Sequence, residues 1–203
     1  MILTVPVKGV FWTNCYFYAD ETAGKCFIID PGAEGEKLIN IAWSHGWIIH
    51  KILLTHGHFD HFGGVQEMRK KIFPAVYAHE LGRLYLADPM KNLSRFCGPD
   101  IVINDANYFH DKEIIKLSAN HSLRVIHTPG HTEDSVTFYD ADRNIAFVGD
   151  TIFKGSPGSD RYPGSNTENL YNSIHKILTL PEKTILYSGH SEPTTIRDER
   201  KNY

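Results

Sequence analysis

The sequence predicts an α/β fold built on mixed β-sheets. Three observations carry that reading. Short β-branched, apolar runs succeed one another near the start with no helical segment between them. Later runs alternate with segments of helical periodicity. Strands followed by strands, and only then strand–helix alternation, argue against a simple doubly wound sheet. The third observation is an absence: no Gly/Ser/Pro-rich linker or short repeat divides residues 1–203, so a single domain is expected.

The elements follow in order. The opening MILTVPVKGVFWTNCYF is broken by Lys8 and Asn14, so it reads as strands rather than as a signal peptide. Strands are expected at Asn14–Tyr18, Cys26–Ile29, Lys51–Leu54, Ala75–Tyr77, Leu123–Ile126, Val136–Tyr139, Ile145–Val148 and Thr184–Tyr187. A helix over Glu36–His45 puts Leu38, Ile41 and Ala42 on one face, with Gly46 as its stop. A second is expected from Gly64 to about Phe73, with Val65, Met68 and Ile72 in one stripe. In a third, Thr167–Leu180, residues Leu170, Ile174, Ile177 and Leu178 fall at helical spacing. Ser165 and Glu168 fit a capping box at its start, and Pro181 ends it. GSPGSDRYPGSN (155–166) reads as a functional loop.

Composition narrows the partners. The formal net charge is −3 and no run concentrates Lys and Arg, so a nucleic-acid partner is not expected. No stretch of 18 apolar residues exists, so no membrane span is expected. Cys15, Cys26 and Cys97 are odd in number and sparse, which suggests reduced thiols and a cytoplasmic setting. The anomaly is histidine, with twelve in the chain.

Four strands run into metal-capable side chains. KILLT meets His56, LRVIHTPG leads to His131, IAFVG meets Asp150, and TILYSG meets His190. If these strand ends share one sheet edge, the four groups meet there. The stretch THGHFDH is the most specific. Alternate residues of an extended segment point the same way, so His56 and His58 can hold one ion, and Asp60 can follow. His61 is offset by one and points toward a second ion. Taken singly, TPGHT, VGDT and YSGH read equally well as turns or caps. Beside His56–His61 they read as ligands, because that stretch alone has too few donors for two ions. Imidazole and carboxylate donors suit zinc, with iron or manganese accepting the same set.

These residues are where a family resemblance enters. IIDPG (28–32), THGHFDH (55–61), VIHTPGHT (125–132), GDTIF (149–153) and YSGH (187–190), with TNCYF near the start and PTTI (193–196) near the end, resemble the metallo-β-lactamase fold superfamily. The match is strongest to small glyoxalase-II-like (hydroxyacylglutathione hydrolase-like) enzymes, here without their C-terminal helical domain. The resemblance implies an αββα sandwich of two mixed sheets flanked by helices, with a metal site at one edge. It implies two divalent ions, zinc by default. His56, His58 and His131 would hold the first, Asp60, His61 and His190 the second, and Asp150 would bridge them. It also implies hydrolysis of a small-molecule thioester by a hydroxide shared between the ions, with Asp60 as the catalytic residue that orients it. Asp30 either supports a ligand histidine or begins the turn before Pro31-Gly32. Thr55 and Thr132 are further candidates for supporting ligands. Lys154 and Arg161 either meet a substrate carboxylate or are solvated loop charges. His79 either lines the pocket or starts a helix, and His127 is the histidine easiest to mistake for a ligand. The rival reading is a persulfide dioxygenase-like oxidoreductase, which shares the fold and uses one iron held by two His and an Asp. A missing export signal weighs against a β-lactamase, and the lack of basic character weighs against a nuclease.

Overall fold

Two six-stranded sheets make up the centre of the molecule, described over Met1–Tyr203 by a computed structural model. The first contains β1 (Ile2–Lys8), β2 (Trp12–Asp20), β3 (Lys25–Ile29), β4 (Ile48–Leu53), β5 (Ala75–His79) and β6 (Asn107–Phe109), side by side in chain order. The first three are antiparallel neighbours; from β3 onward the pairs are parallel. After β7 (Ile114–Lys116), β8 (Ser122–His127), β9 (Val136–Asp140) and β10 (Ile145–Gly149), a short hairpin of β11 (Ile152–Phe153) and β12 (Ser156–Pro157) stands apart. With β13 (Ile185–Ser188) and β14 (Thr194–Thr195), the second sheet reads β14-β13-β10-β9-β8-β7. Only its β10–β13 pair is parallel. Both sheets are therefore mixed.

Strand alternation sorts the core into three layers. Tyr16, Tyr18, Phe27 and Ile29 point inward and meet Leu123, Val125, Val136, Phe138 and Phe147 of the second sheet. Phe17, Ala19, Cys26 and Ile28, from the same strands, face outward. They pack under α1 (Gly35–Ser44), α2 (Phe59–Phe62) and α3 (Val65–Met68). Two further single-turn helices, α4 (Arg83–Leu86) and α5 (Ser94–Cys97), follow β5. On the far side, Ala146 and Val148 pack against Leu170, Ile174 and Ile177 of α6 (Thr167–Leu178) and Ile196 of α7 (Ile196–Glu199). This is the αββα sandwich. A helix the length of α6 is marginal alone in water. Burying each large aliphatic side chain contributes about 1.5–3 kcal/mol, so packing holds it.

Three local expectations shift. The helix expected over Gly64–Phe73 is α-helical only over Val65–Met68 and continues as turns to Lys71, and Pro74 disfavours helical backbone at Phe73. α6 ends at Leu178 rather than Leu180. Its cap is Asn166, whose side chain accepts from the Asn169 amide at 2.9 Å. Ser165 instead donates its hydroxyl to the carbonyl of His131 at 2.6 Å, tying the helix start to a candidate ligand. The three cysteines are free, and no helix is long and apolar enough to cross a membrane.

Candidate metal centre

Strand direction explains why distant residues converge. β8, β10 and β13 all run the same way: β10 and β13 are parallel, and β8 is two antiparallel steps from β10. The residues after their C-terminal ends therefore share one edge, which places His131, Asp150 and His190 together. The first sheet is clamped to the same edge. The Val136 amide donates to Thr55 O at 2.8 Å and the Asn14 amide donates to Gly189 O at 2.7 Å, while within the second sheet the Gly189 amide donates to Gly149 O at 2.9 Å. Thr55 to His61 runs from the end of β4 into α2 and adds the remaining groups.

Seven side chains meet there as His56/His58/His131, His56/His61/Asp150 and Asp60/His61/His190, each set with its donor atoms mutually within 4.8 Å. His58 Nδ1 is 3.1 Å from His56 Nε2 and 3.0 Å from His131 Nε2. Asp150 spans the two halves. Its Oδ1 is 3.5 Å from His61 Nε2, and its Oδ2 is 3.7 Å from His131 Nε2 and 3.2 Å from His190 Nε2. Asp60 Oδ2 is 3.3 Å from His190 Nε2.

The outer ring nitrogens decide what the inner ones present. His61 Nδ1 donates to Asp30 Oδ2 at 2.9 Å. His56 Nδ1 donates to Thr55 Oγ1 at 3.2 Å, and that hydroxyl is itself committed to Asp30 Oδ2 at 2.6 Å. His131 Nδ1 donates to the Ser159 carbonyl at 2.8 Å, and His190 Nδ1 to the Trp12 carbonyl at 2.6 Å. A neutral imidazole carries one N–H. When these four rings are neutral that proton lies outside, and four Nε2 lone pairs face inward. At His56, His58 and His131, lone pairs crowd one point with at most one proton to share. Their spacing is close to the roughly 3.3 Å edge of a tetrahedron with metal–nitrogen bonds of about 2.0–2.1 Å. His61 Nε2 and Asp150 Oδ1 are buried without a hydrogen-bond partner. The donor set thus fits cations at both halves.

Electrostatics divides the halves. Burial, reinforced by neighbouring imidazoles, holds His56 well below its ordinary pKa and His58 at about 3, so both stay neutral. Burial also opposes charge on His61 and His190. There the surrounding carboxylates, Asp150 foremost, outweigh it, raising His61 well above its ordinary value and His190 to about 10. Metal ligation needs neutral imidazole. Loading the metal-free protein at pH 7 is therefore expected to release protons from His61 and His190. Calorimetry in buffers of different ionisation enthalpy reads this directly, and buffer-independent heats contradict it.

The supporting residues behave differently from one another. Asp30 accepts from the Thr55 amide at 2.8 Å as well as from the Thr55 hydroxyl and His61, so it orients one imidazole directly and a second through Thr55. Thr132 touches no ligand; its hydroxyl is paired with Ser135 Oγ at 2.6 Å inside its own turn. Lys154 is ion-paired to Glu192 at 2.8 Å and lines a separate groove. Arg161 is exposed and outside the cleft wall. Both cations sit on the solvent side of their loop. His79 is buried and stacks on His127 with ring centroids 4.2 Å apart, away from the cleft. The cleft over the donor atoms is walled instead by Phe11, Leu93, Phe153, Ser159 and Tyr162. Sequence spacing gives no sign of Phe11, two residues before TNCYF, or of Leu93, which lies outside every quoted motif.

Gly189 shows how tightly the site is built. A Cβ there would overlap Asp150 Oδ1 and lie 2.6 Å from His61 Cε1. Gly189→Ala is expected to weaken metal binding by about 10–100-fold, the range typical of disturbed ligand support. Chelator competition measures it, and unchanged affinity contradicts the crowding.

Fold and site together define a class, the αββα metallo-hydrolases. The chain belongs to the metallo-beta-lactamase superfamily, which it matches over residues 9–190. It is 36% identical over 198 residues to the probable metallo-hydrolase YqgX of Bacillus subtilis (strain 168), covering 97% of this chain and 92% of that one. It is 31% identical over 202 residues to the hydroxyacylglutathione hydrolase GloC of Haemophilus influenzae, covering 98% and 94%. Two solved structures superpose over nearly the whole chain. The BLEG-1 B3 metallo-beta-lactamase does so with a TM-score of 0.91 at 36% identity, over 99% of this chain and 97% of that one. TTHA1623, solved in a di-iron-bound form, does so with a TM-score of 0.85 at 32% identity, over 98% of each.

Proposed function

We propose that this chain is a dinuclear metal-dependent hydrolase of acyl thioesters. The observation that carries the reading is two clusters of metal-capable side chains at the floor of a cleft, with Asp150 within 3.7 Å of His131 on one side and of His61 and His190 on the other. The di-iron form of TTHA1623 supports two ions, and GloC supports a thioester as substrate. His56, His58 and His131 would hold one ion, and Asp60, His61 and His190 the other, with Asp150 between them. When bound, such ions supply a water acidified to near neutrality and a Lewis acid for the carbonyl oxygen.

The chain's own groups do the rest. Asp60, held ionised by His61 and His190 against the opposing effect of burial, accepts a hydrogen bond from the attacking water and fixes its direction. Tyr162 lies edge-on to His58 and His131, at centroid distances of 5.3 and 5.7 Å, and excludes bulk solvent above them. A thiolate departs without a proton donor, since a thiol's pKa is about 8.5. That suits a cleft whose wall has no Lys or Arg.

Metal-loaded protein assayed with S-lactoylglutathione and simpler acyl thioesters, with a cephalosporin, and with glutathione persulfide under oxygen monitoring tests this. The expected result is thioester hydrolysis without oxygen uptake. Oxygen uptake with the persulfide, or β-lactam turnover exceeding thioester turnover, overturns it.

A further inference from the structure

Five non-glycine residues have positive φ: Asp30, Glu34, Leu93, Lys112 and Asn144. Leu93 is the only apolar one. Its φ of 71° and ψ of −1° place it in the left-handed region, where a Cβ crowds the following carbonyl and where glycine or asparagine sits with less strain. Residues held there persist only where the surroundings over-determine them, and they cluster at functional sites.

The surroundings of Leu93 are fully specified. Asn92, before it, has no exposed surface. The Asn92 carbonyl accepts from the Phe59 amide at 2.9 Å, inside the ligand stretch. Its side-chain amide donates to Ile101 O at 2.8 Å, and its side-chain oxygen accepts from the Ser94 amide at 2.9 Å. The Leu93 carbonyl accepts from the Phe96 amide at 3.1 Å, and Ser94 Oγ accepts from the Ile101 amide at 3.0 Å. This network locks the backbone to the loop that bears Asp60. The Leu93 side chain then stands in the wall of the cleft, with Phe11, Phe153 and Tyr162.

Nothing in that network requires a leucine side chain, and glycine would fit the backbone better. Part of the side chain packs against the first core layer, and part faces the cleft. The cleft encloses about 280 Å³, at the low end of ligand-sized cavities, enough for an acyl group but not for a whole conjugate. Above the His and Asp side chains of its floor, the wall of Phe11, Leu93, Phe153 and Tyr162 is apolar, with Ser159 beside them and no Lys or Arg. We infer that Leu93 is a specificity-determining residue: it contacts the acyl substituent and selects an uncharged, apolar chain of a few carbons. This rests on the thioester reading above and adds the acyl class to it.

The test compares wild type, Leu93→Gly and Leu93→Ala in the metal-loaded protein, with acetyl, butyryl and hexanoyl thioesters of one thiol. The melting temperature of each metal-free protein is measured alongside. Wild type is expected to prefer butyryl over acetyl by about tenfold in kcat/KM, and Leu93→Gly to lose that preference through a raised KM for the longer chain. Both variants lose the packing of Leu93 against the first core layer, but Leu93→Gly is freed of strain and is expected to melt above Leu93→Ala, which keeps it. A chain-length profile in both variants equal to that of wild type overturns this inference alone. Leu93→Gly melting as low as Leu93→Ala overturns the strain argument beneath it. A wild type that hydrolyses no thioester overturns the functional reading, and this inference with it.

Discussion

An Asp150→Asn protein is expected to lose turnover by about a thousandfold and to bind fewer than two ions. The substitution keeps shape and removes charge. Asp150 approaches His61, His131 and His190 from both of its oxygens, and its own pKa lies well below the ordinary carboxylate range. Burial works against that ionisation; the imidazoles His61 and His190 overcome it. An asparagine offers one oxygen and one NH₂, so it cannot serve both halves. Losing one ion removes several kcal/mol of charge stabilisation in the transition state, and at about 1.4 kcal/mol per decade that is roughly a thousandfold. Metal analysis paired with single-turnover kinetics measures both effects. Two ions bound with turnover within tenfold of wild type would contradict the bridging role.

Asp30→Ala is expected to act from one step further out. The carboxylate has almost no exposed surface and accepts three hydrogen bonds, from the Thr55 amide, the Thr55 hydroxyl and His61 Nδ1. Each donor left buried and unpaired costs about 1–3 kcal/mol. Asp30 also has a φ of 53°, which aspartate tolerates better than alanine. A loss of about 3–5 kcal/mol in urea unfolding of the metal-free protein is the expected outcome. Metal affinity is expected to fall by about 10–100-fold, because His61 loses its orientation and Thr55 is freed from the pair that holds His56. Asp30→Asn should fall between, since it keeps an acceptor for the Thr55 amide. Wild-type affinity in Asp30→Ala would mean that the two histidines need no support from this residue.

The sequence carried much of this because ligand chemistry is a property of residue type. His56, His58, Asp60, His61, His131, Asp150 and His190 could be named from side chains alone, and their convergence follows once β8, β10 and β13 are seen to point one way. Asp30 and Thr55 were only candidates, since an aspartate before Pro-Gly reads also as the start of a turn; the structure sets both against ligand histidines. The missed parts are those that any residue can supply. The acceptors for His131 and His190 are the backbone carbonyls of Ser159 and Trp12, and no side chain announces a carbonyl. The start of α6 at Thr167 was read correctly, but its cap was misplaced by one residue because Ser165 and Asn166 are both good caps, and tertiary contact with His131 settled which one caps. Lys154 and Arg161 attracted attention by charge, but the cleft wall is built by Phe11, Leu93, Phe153 and Tyr162. Those four share no motif and no spacing.

Two ions sharing one carboxylate is the central claim, and anomalous diffraction from crystals of the metal-loaded protein tests it most directly. The account predicts two peaks: one among His56, His58 and His131, the other among Asp60, His61 and His190, with Asp150 touching both. A single peak held by two histidines and Asp150, with His190 left unligated, would contradict it and favour a mononuclear oxidoreductase on the same fold.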